Sequence, residues 1–563
     1  MKQPGILALG ILAILATTAS TAPAQTQCQG TTGPDVIVGA ITGPSNYGSI
    51  SGVEALSLGT TSCNMGTSGL AWKSNSAAHP VIGGELYRFK NAGGYGRFEQ
   101  VGISWLKHGF FAESEFLCCN NCQATDGTSL GVGCSDPYTS DRNGTQSLLG
   151  PRYQVNPFTG VFTYPPPHPT GGNTGRLQVD VADCEPTGTG TRYFANSQYI
   201  AHDDAVAGHG LNNCSHREVT CSGSGTAWNF GFSGTTTREQ PAIREWPNCE
   251  SSVTLRDVQI PSEGFLILGY KTTALGGGIY HYEYAIYNMN SDRAVGSFSL
   301  PIPSNVQLTN VGFHDVTYRG GDGVGGVNQS STDWGFQHAG GNATWSTTSF
   351  ATDPNSNAIR WGTTYNFRFD ANAAPTFASV TIGTFKDNGA VQTTADVPGD
   401  VPPGVPFCFG DGVASQACPC ANIGDPGAGC PNSKEAQGAI LSAVGNTSPD
   451  TVVLTASREL PTALSVLMQG TSQNSNGFLF GDGLRCTGGT LKRLYSKNAS
   501  AGVVTMPDVG DLSITAASAA KGDVIPPGGT RYYQIYYRDP DATFCPAPNG
   551  DTFNITSGLV IVW

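Results

Sequence analysis

The sequence predicts an all-β, multidomain protein made of β-sandwich modules stabilised by disulfides. Three observations carry this. Only 13% of residues are charged, while Gly (75) and Pro (35) are abundant, a balance that suits short strands and many turns rather than long helices. Sixteen cysteines are distributed unevenly along the chain. Several segments alternate with the two-residue period of a strand, and nothing in the pattern alternates strand with helix as a parallel sheet would require.

The first segment reads as an export signal. Lys2 is followed by the apolar run Ile6–Ala16 and by small residues ending in Ala22-Pro23-Ala24, which predicts a signal peptide over 1–24 cleaved after Ala24. The apolar run is about half of the ~20 residues a spanning helix needs. Gln25-Thr26-Gln27 before Cys28 does not resemble a lipidation signal. The expected location is secreted, extracellular or at the cell surface, with no transmembrane segment. A net charge of −13 argues against a nucleic-acid partner, which calls for a basic surface, and gives no electrostatic attraction to an anionic membrane.

Cysteines draw the next boundaries. Ten lie between 28 and 249, none between 250 and 407, and six between 408 and 545. In an oxidising compartment thiols pair, so up to five bridges are expected in the first group and three in the second, with connectivity open. Cys119-Asn-Asn-Cys122, with Cys118 and Cys134 nearby, lacks a second CxxC and reads as disulfide-forming rather than zinc-binding. The expected regions are a Cys-rich β-rich domain over 25–250, a β-sandwich over 251–395, a Pro-rich linker over 396–406 and a Cys-rich β-rich module over 407–563.

Within the middle region, 279–287 places Tyr280, Tyr282, Tyr284 and Ile286 on one face and His281, Glu283, Ala285 and Tyr287 on the other. A turn over 288–293, a strand over 296–301, and strands over 365–369 and 379–385 that can pair nearby complete a sandwich pattern. In the last region, 531–538 puts Tyr533, Ile535 and Tyr537 on one face, and 558–563 reads as a buried strand. The tetrapeptide FGDG, at Phe409–Gly412 and Phe480–Gly483, predicts tight turns rather than a calcium loop.

Phe407-Cys-Phe-Gly-Asp-Gly412, Ala417-Cys-Pro-Cys420 and the segment 530–540 (TRYYQIYYRDP) resemble a Cys-rich C-terminal module of large exported modular β-proteins of environmental bacteria. Trp105-Leu-Lys-His-Gly-Phe110 and Gly133-Cys-Ser-Asp-Pro-Tyr138 are similar to parts of the same group. The resemblance implies modular secretion and brings no catalytic residues with it.

Chemistry is sparser. AHDDAVAGHGLNNCSHRE, over 201–218, carries His202, His209 and His216, candidate ligands for copper or zinc. Seven-residue spacing would align them on a helix, but Gly208, Gly210 and Asn212-Asn213 argue against one. On a strand they would alternate faces, and in a loop they can converge. The competing reading is a polar loop pinned by Cys214 and Cys221. His108, His281 and His314 are further candidates, yet no His-x-His pair and no H-E-x-x-H motif is present. Gly127-Thr-Ser-Leu-Gly131 fits G-x-S-x-G in letters but lacks the strand–helix context of a nucleophile elbow. Glu113, Glu115, Asp203 and Asp204 supply acidic groups for a glycosidase pair without a spacing that selects one.

The expectation is an exported non-catalytic binding or structural protein, whose partner is a polysaccharide or cell-surface component bound through aromatic and polar side chains and which needs no cofactor. The alternative is a secreted copper- or zinc-dependent enzyme using the N-terminal histidines. Whether the protein is an enzyme stays open at this level.

Overall fold

Twelve cysteines and a strand-rich backbone organise the chain. The computed structural model describes residues 28, 30–91, 95–169, 171–185, 190–413 and 416–563. The expected signal peptide lies outside the described residues. The fold is all-β and antiparallel. Among the described residues the longest helix is Ile514–Ala520, and none is long and apolar enough to cross a membrane.

The first sheet runs in the order Val36–Ile50, Val53–Asn64, Leu177–Asp180, Arg97–Ile103, Val81–Lys90, Arg192–Ile200, Cys214–Ser224 and Ala227–Phe232. It curls until its first and last strands meet. There the Asn46 side chain replaces a ladder rung: its amide donates to the Phe230 carbonyl at 3.1 Å and its oxygen accepts from the Phe230 N–H at 3.0 Å. Val38, Leu56, Trp72, Leu86, Val179 and Tyr199 fill the interior. Cys28–Cys119, Cys63–Cys118 and Cys122–Cys134 tie down the long excursion between strands. Cys118, Cys119 and Cys122 are thus all in disulfides. Cys184, Cys214, Cys221 and Cys249 remain thiols, so this region holds three bridges where up to five were expected. Cys214 is one of them, fully buried against the Tyr287 hydroxyl, 3.9 Å away.

The middle strands form a sandwich. One sheet is ordered Thr254–Gln259, Phe265–Gly276, Ile279–Asn288, Thr363–Ala371, Leu308–His314; the other Gly335–Ala339, Asn342–Ser346, Val295–Pro301, Pro375–Thr384, Ala390–Pro398. Tyr282, Tyr284 and Ile286 enter the core between them, with Phe367 beside them on the same sheet and Phe298 and Trp345 opposite, as the alternation predicts. The strands expected near 365–369 and 379–385 do not pair. They lie in opposite sheets, because the chain crosses the sandwich between them and buries an apolar face from each side.

The other face of Ile279–Asn288 is also covered. Ala285 and Tyr287 pack with Ile267, Trp246, Tyr87, Phe98 and Phe194 in a core shared with the first sheet. Arg97 from the first sheet clamps the buried Glu283 at 2.6 Å. Gln100 donates to the Gly362 carbonyl at 3.1 Å and accepts from the Thr364 N–H at 2.7 Å. Tyr95 stacks on His281, ring centres 4.1 Å apart.

The Pro-rich stretch is paired at both ends: Ala390–Pro398 places Val397 in the sandwich core, and Val405–Phe407 joins the last sheet. That sheet runs Val405–Phe407, Gly558–Val562, Thr530–Arg538, Leu464–Gly470, Lys492–Asn498 and faces a three-stranded one of Ile440–Val444, Val453–Ser457 and Val504–Met506. Tyr533, Ile535 and Tyr537 share the core between them. Cys408–Cys486, Cys418–Cys430 and Cys420–Cys545 supply the three expected bridges. Both FGDG segments turn the chain: Phe480 pairs with Gly483 across a two-residue hairpin, and the Asp411 side chain accepts from the Val413 N–H.

Candidate binding cavity

The stretch 201–218 divides into three local structures. His202–Ala207 is a short helix, which the glycines terminate rather than forbid: Gly208 adopts φ +86° and caps it. His209 lies in the following turn and His216 on the strand Cys214–Ser224. The three rings face three separate carbonyls. His202 Nδ1 is 2.7 Å from the Thr159 oxygen, His209 Nε2 2.9 Å from that of Thr32, and His216 Nδ1 2.8 Å from that of Gln240. His216 Nε2 is 3.1 Å from Glu245. Among the described residues no group of three or more His, Cys, Asp or Glu side chains is arranged to hold a metal ion.

The two aspartates beside His202 fasten the helix to the sheet. Asp203 accepts from the Ala71 N–H at 2.7 Å. Asp204, fully buried, accepts from the Val36 N–H and the Asn213 amide, each at 2.8 Å; burial pushes its carboxyl up to about 7.

His202 and Asp203 nevertheless border a cavity of about 390 Å³, a size that suits a small ligand. Its walls are Ala71, Ala77, Ala78, Val161 and Phe162, and its polar margin is Ser76, His79, His202 and Asp203. Gly160 makes the assembly close: its φ is +68°, and a Cβ there would lie 2.5 Å from the His202 nitrogen. Only glycine lets the 156–161 turn seat against the helix start.

Of the lining residues, His79 belongs to a buried imidazole pair in an aromatic box. His79 Nε2 lies 3.3 Å from His108 Nδ1 and accepts from the Gly109 N–H at 3.2 Å. The Phe162 ring centre is 5.2 Å from His79 and 5.0 Å from His108, and Phe110 and Tyr164 complete the box around His79. Burial drops His79 to about 4 and His108 to about 3, so both rings are neutral at ordinary pH. His202 donates through Nδ1 to the Thr159 carbonyl, which leaves Nε2 as its second hydrogen-bonding atom.

Elsewhere, the remaining candidates are structural. His281 lies between Asp370 at 2.6 Å and Glu283 at 3.0 Å. His314 Nε2 is 3.0 Å from the Gln100 carbonyl. Ser129 sits on a two-residue strand paired with Leu70–Ala71, with neither the strand nor the helix of a nucleophile elbow. A second cavity of about 110 Å³ at the seam between the first sheet and the sandwich is lined by Trp361, Tyr153, Phe350, Arg360, Lys386 and Asp292 among others, room for little more than one ring. Sequence reasoning missed His79 and Phe162. No local pattern marks either, and only the fold brings them to the same wall as His202.

No protein-family model matches the chain, and no curated protein matches it. One solved structure, named "Biofilm associated protein - BSP domain", aligns over 93% of this chain and 81% of that one at 10% identity, with a TM-score of 0.12. A score that low is below what a shared fold gives.

Proposed function

We propose that this is an exported, non-catalytic binding protein that takes a sugar unit of a neutral polysaccharide in the cavity between Phe162 and His202. The observation that carries the reading is a ligand-sized hollow with apolar walls and a short polar margin. A pyranose ring has that same division: an apolar C–H face and peripheral hydroxyls. Phe162 and the alanine methyl groups suit the face, while the Ser76 hydroxyl and His202 Nε2 suit the hydroxyls. A net charge of −13 repels acidic glycans at long range and favours neutral ones. Export rests on the leader sequence and agrees with six disulfides. The C-terminal region is then a secreted module of the kind it resembles.

The test is calorimetric titration with a panel of short neutral oligosaccharides. His202→Ala removes one ligand hydrogen bond, worth about 1–1.5 kcal/mol, and is expected to weaken binding about tenfold with only a small fall in Tm, because the bond to the Thr159 carbonyl that it also loses is exposed. No binding across the panel, or equal affinity for the variant, contradicts the proposal. Stoichiometric copper or zinc that the His202→Ala/His209→Ala protein loses would instead support the metal-centred reading.

A further inference from the structure

Two of the four thiols are neighbours. Cys184 ends the short helix Val181–Cys184, which follows the strand Leu177–Asp180. Cys221 lies on Cys214–Ser224, opposite Phe230. The Cys221 sulfur is 3.7 Å from the Cys184 carbonyl, and the Cys184 sulfur is 3.6 Å from that of Asp180. The Tyr193 hydroxyl lies 2.8 Å from the Asp183 carbonyl and 3.1 Å from that of Cys184, and so pins the backbone that carries the first thiol. Cys214 and Cys249 stand apart from this pair, the first against Tyr287 and the second 3.3 Å from Arg192 Nη1.

We propose that Cys184 and Cys221 are a redox-convertible pair that closes into a seventh disulfide, with Cys221 reacting first, and that the oxidant is a small-molecule disulfide. The order follows from access. Cys184 is fully buried and Cys221 half-buried. The neighbouring thiols also shift each other, Cys184 upward and Cys221 downward, so the outer sulfur has the greater thiolate character. The Cys221 thiolate attacks one sulfur of the oxidant, forming a mixed disulfide and releasing one thiolate. Cys184 then gives up its proton and attacks the Cys221 sulfur, expelling the second thiolate. Two protein thiols are oxidised, the small disulfide is reduced to two thiols, and the two protons end on those thiols. The new bond fastens the penultimate strand of the curled sheet to the strand Leu177–Asp180 through its helix.

Peptide mapping tests this on the intact chain, before and after exposure of the native protein to oxidised glutathione, with denaturation and alkylation only after an acid quench. A Cys184–Cys221 cross-linked peptide in either sample, with Cys214 and Cys249 alkylated, is the expected result. Cys184→Ser is expected to stop at glutathione on Cys221, and Cys221→Ser to leave Cys184 unmodified. The wild-type map needs no variant to fold. Absence of the cross-link from both samples overturns the pairing, and glutathione on Cys184 in the Cys221→Ser protein overturns the order.

Discussion

At the scale of single residues, buried charge is the feature most exposed to test. Glu283 is fully buried and is held by Arg97 and His281. Arg97→Met removes the guanidinium that pairs with it, and breaking such a pair costs about 3–5 kcal/mol; a drop in Tm and in the urea midpoint checks this. Asp136 is the opposite case. It accepts from the Glu113 N–H at 2.7 Å, and burial pushes it up to about 7. Its folded value lies above its unfolded one, so the folded state binds more protons between the two. The stability this contributes is complete below about pH 4 and is lost as pH rises through about 7. Asp136→Asn is expected to flatten that fall by up to about 3 kcal/mol between pH 5 and pH 8, read as a narrower Tm difference between the two buffers. His79 and His108 act with the other sign: held neutral by burial, they oppose folding as pH falls below about 6.5 toward their folded values near 4 and 3. Strand alternation in the sequence put His281 and Glu283 on one face. That this face is buried was not legible, because Arg97 and Tyr95 come from a distant segment whose meeting with it no local pattern encodes.

Elements show the same division between local and distant information. Alternation identified the core face of Ile279–Asn288 and of Thr530–Arg538, since side-chain direction is fixed by the backbone of the strand itself. Partner choice was not legible: Thr363–Ala371 and Pro375–Thr384 follow each other in sequence yet belong to opposite sheets. Gly208 misled in a related way, as glycine beyond a helix end reads locally like glycine that prevents one. Two tests belong here. Asn46→Ala removes the two hydrogen bonds from Val36–Ile50 to Phe230 and is expected to cost about 1–2 kcal/mol, with faster exchange of the Phe230 amide. Replacing Cys420 and Cys545 by serine opens a bridge between residues 125 apart in sequence; the chain-entropy cost is about 5 kcal/mol. The resulting fall in Tm is expected in the transition of the C-terminal sheets, with the other strands unaffected.

For the whole molecule, the shared core of Tyr87, Phe98, Trp246, Ile267 and Tyr287 couples the first sheet to the sandwich. Residues 28–398 are therefore expected to melt as one unit, and 405–563, with its own core and bridges, as another; calorimetry with two resolved transitions checks it, and three would show that the seam does not couple. The all-β class and the disulfide character were legible from composition because they follow from bulk residue usage. The cavity was not, because His79, Phe162 and His202 are assembled only when the sheet curls and Gly160 seats the turn against the helix. Hydrogen–deuterium exchange over the entire chain, with and without a bound neutral oligosaccharide, tests the central claim most directly. The account predicts slowed exchange confined to the segments 71–79, 158–164 and 201–204 that line the cavity. Slowed exchange elsewhere, with these segments unchanged, contradicts it.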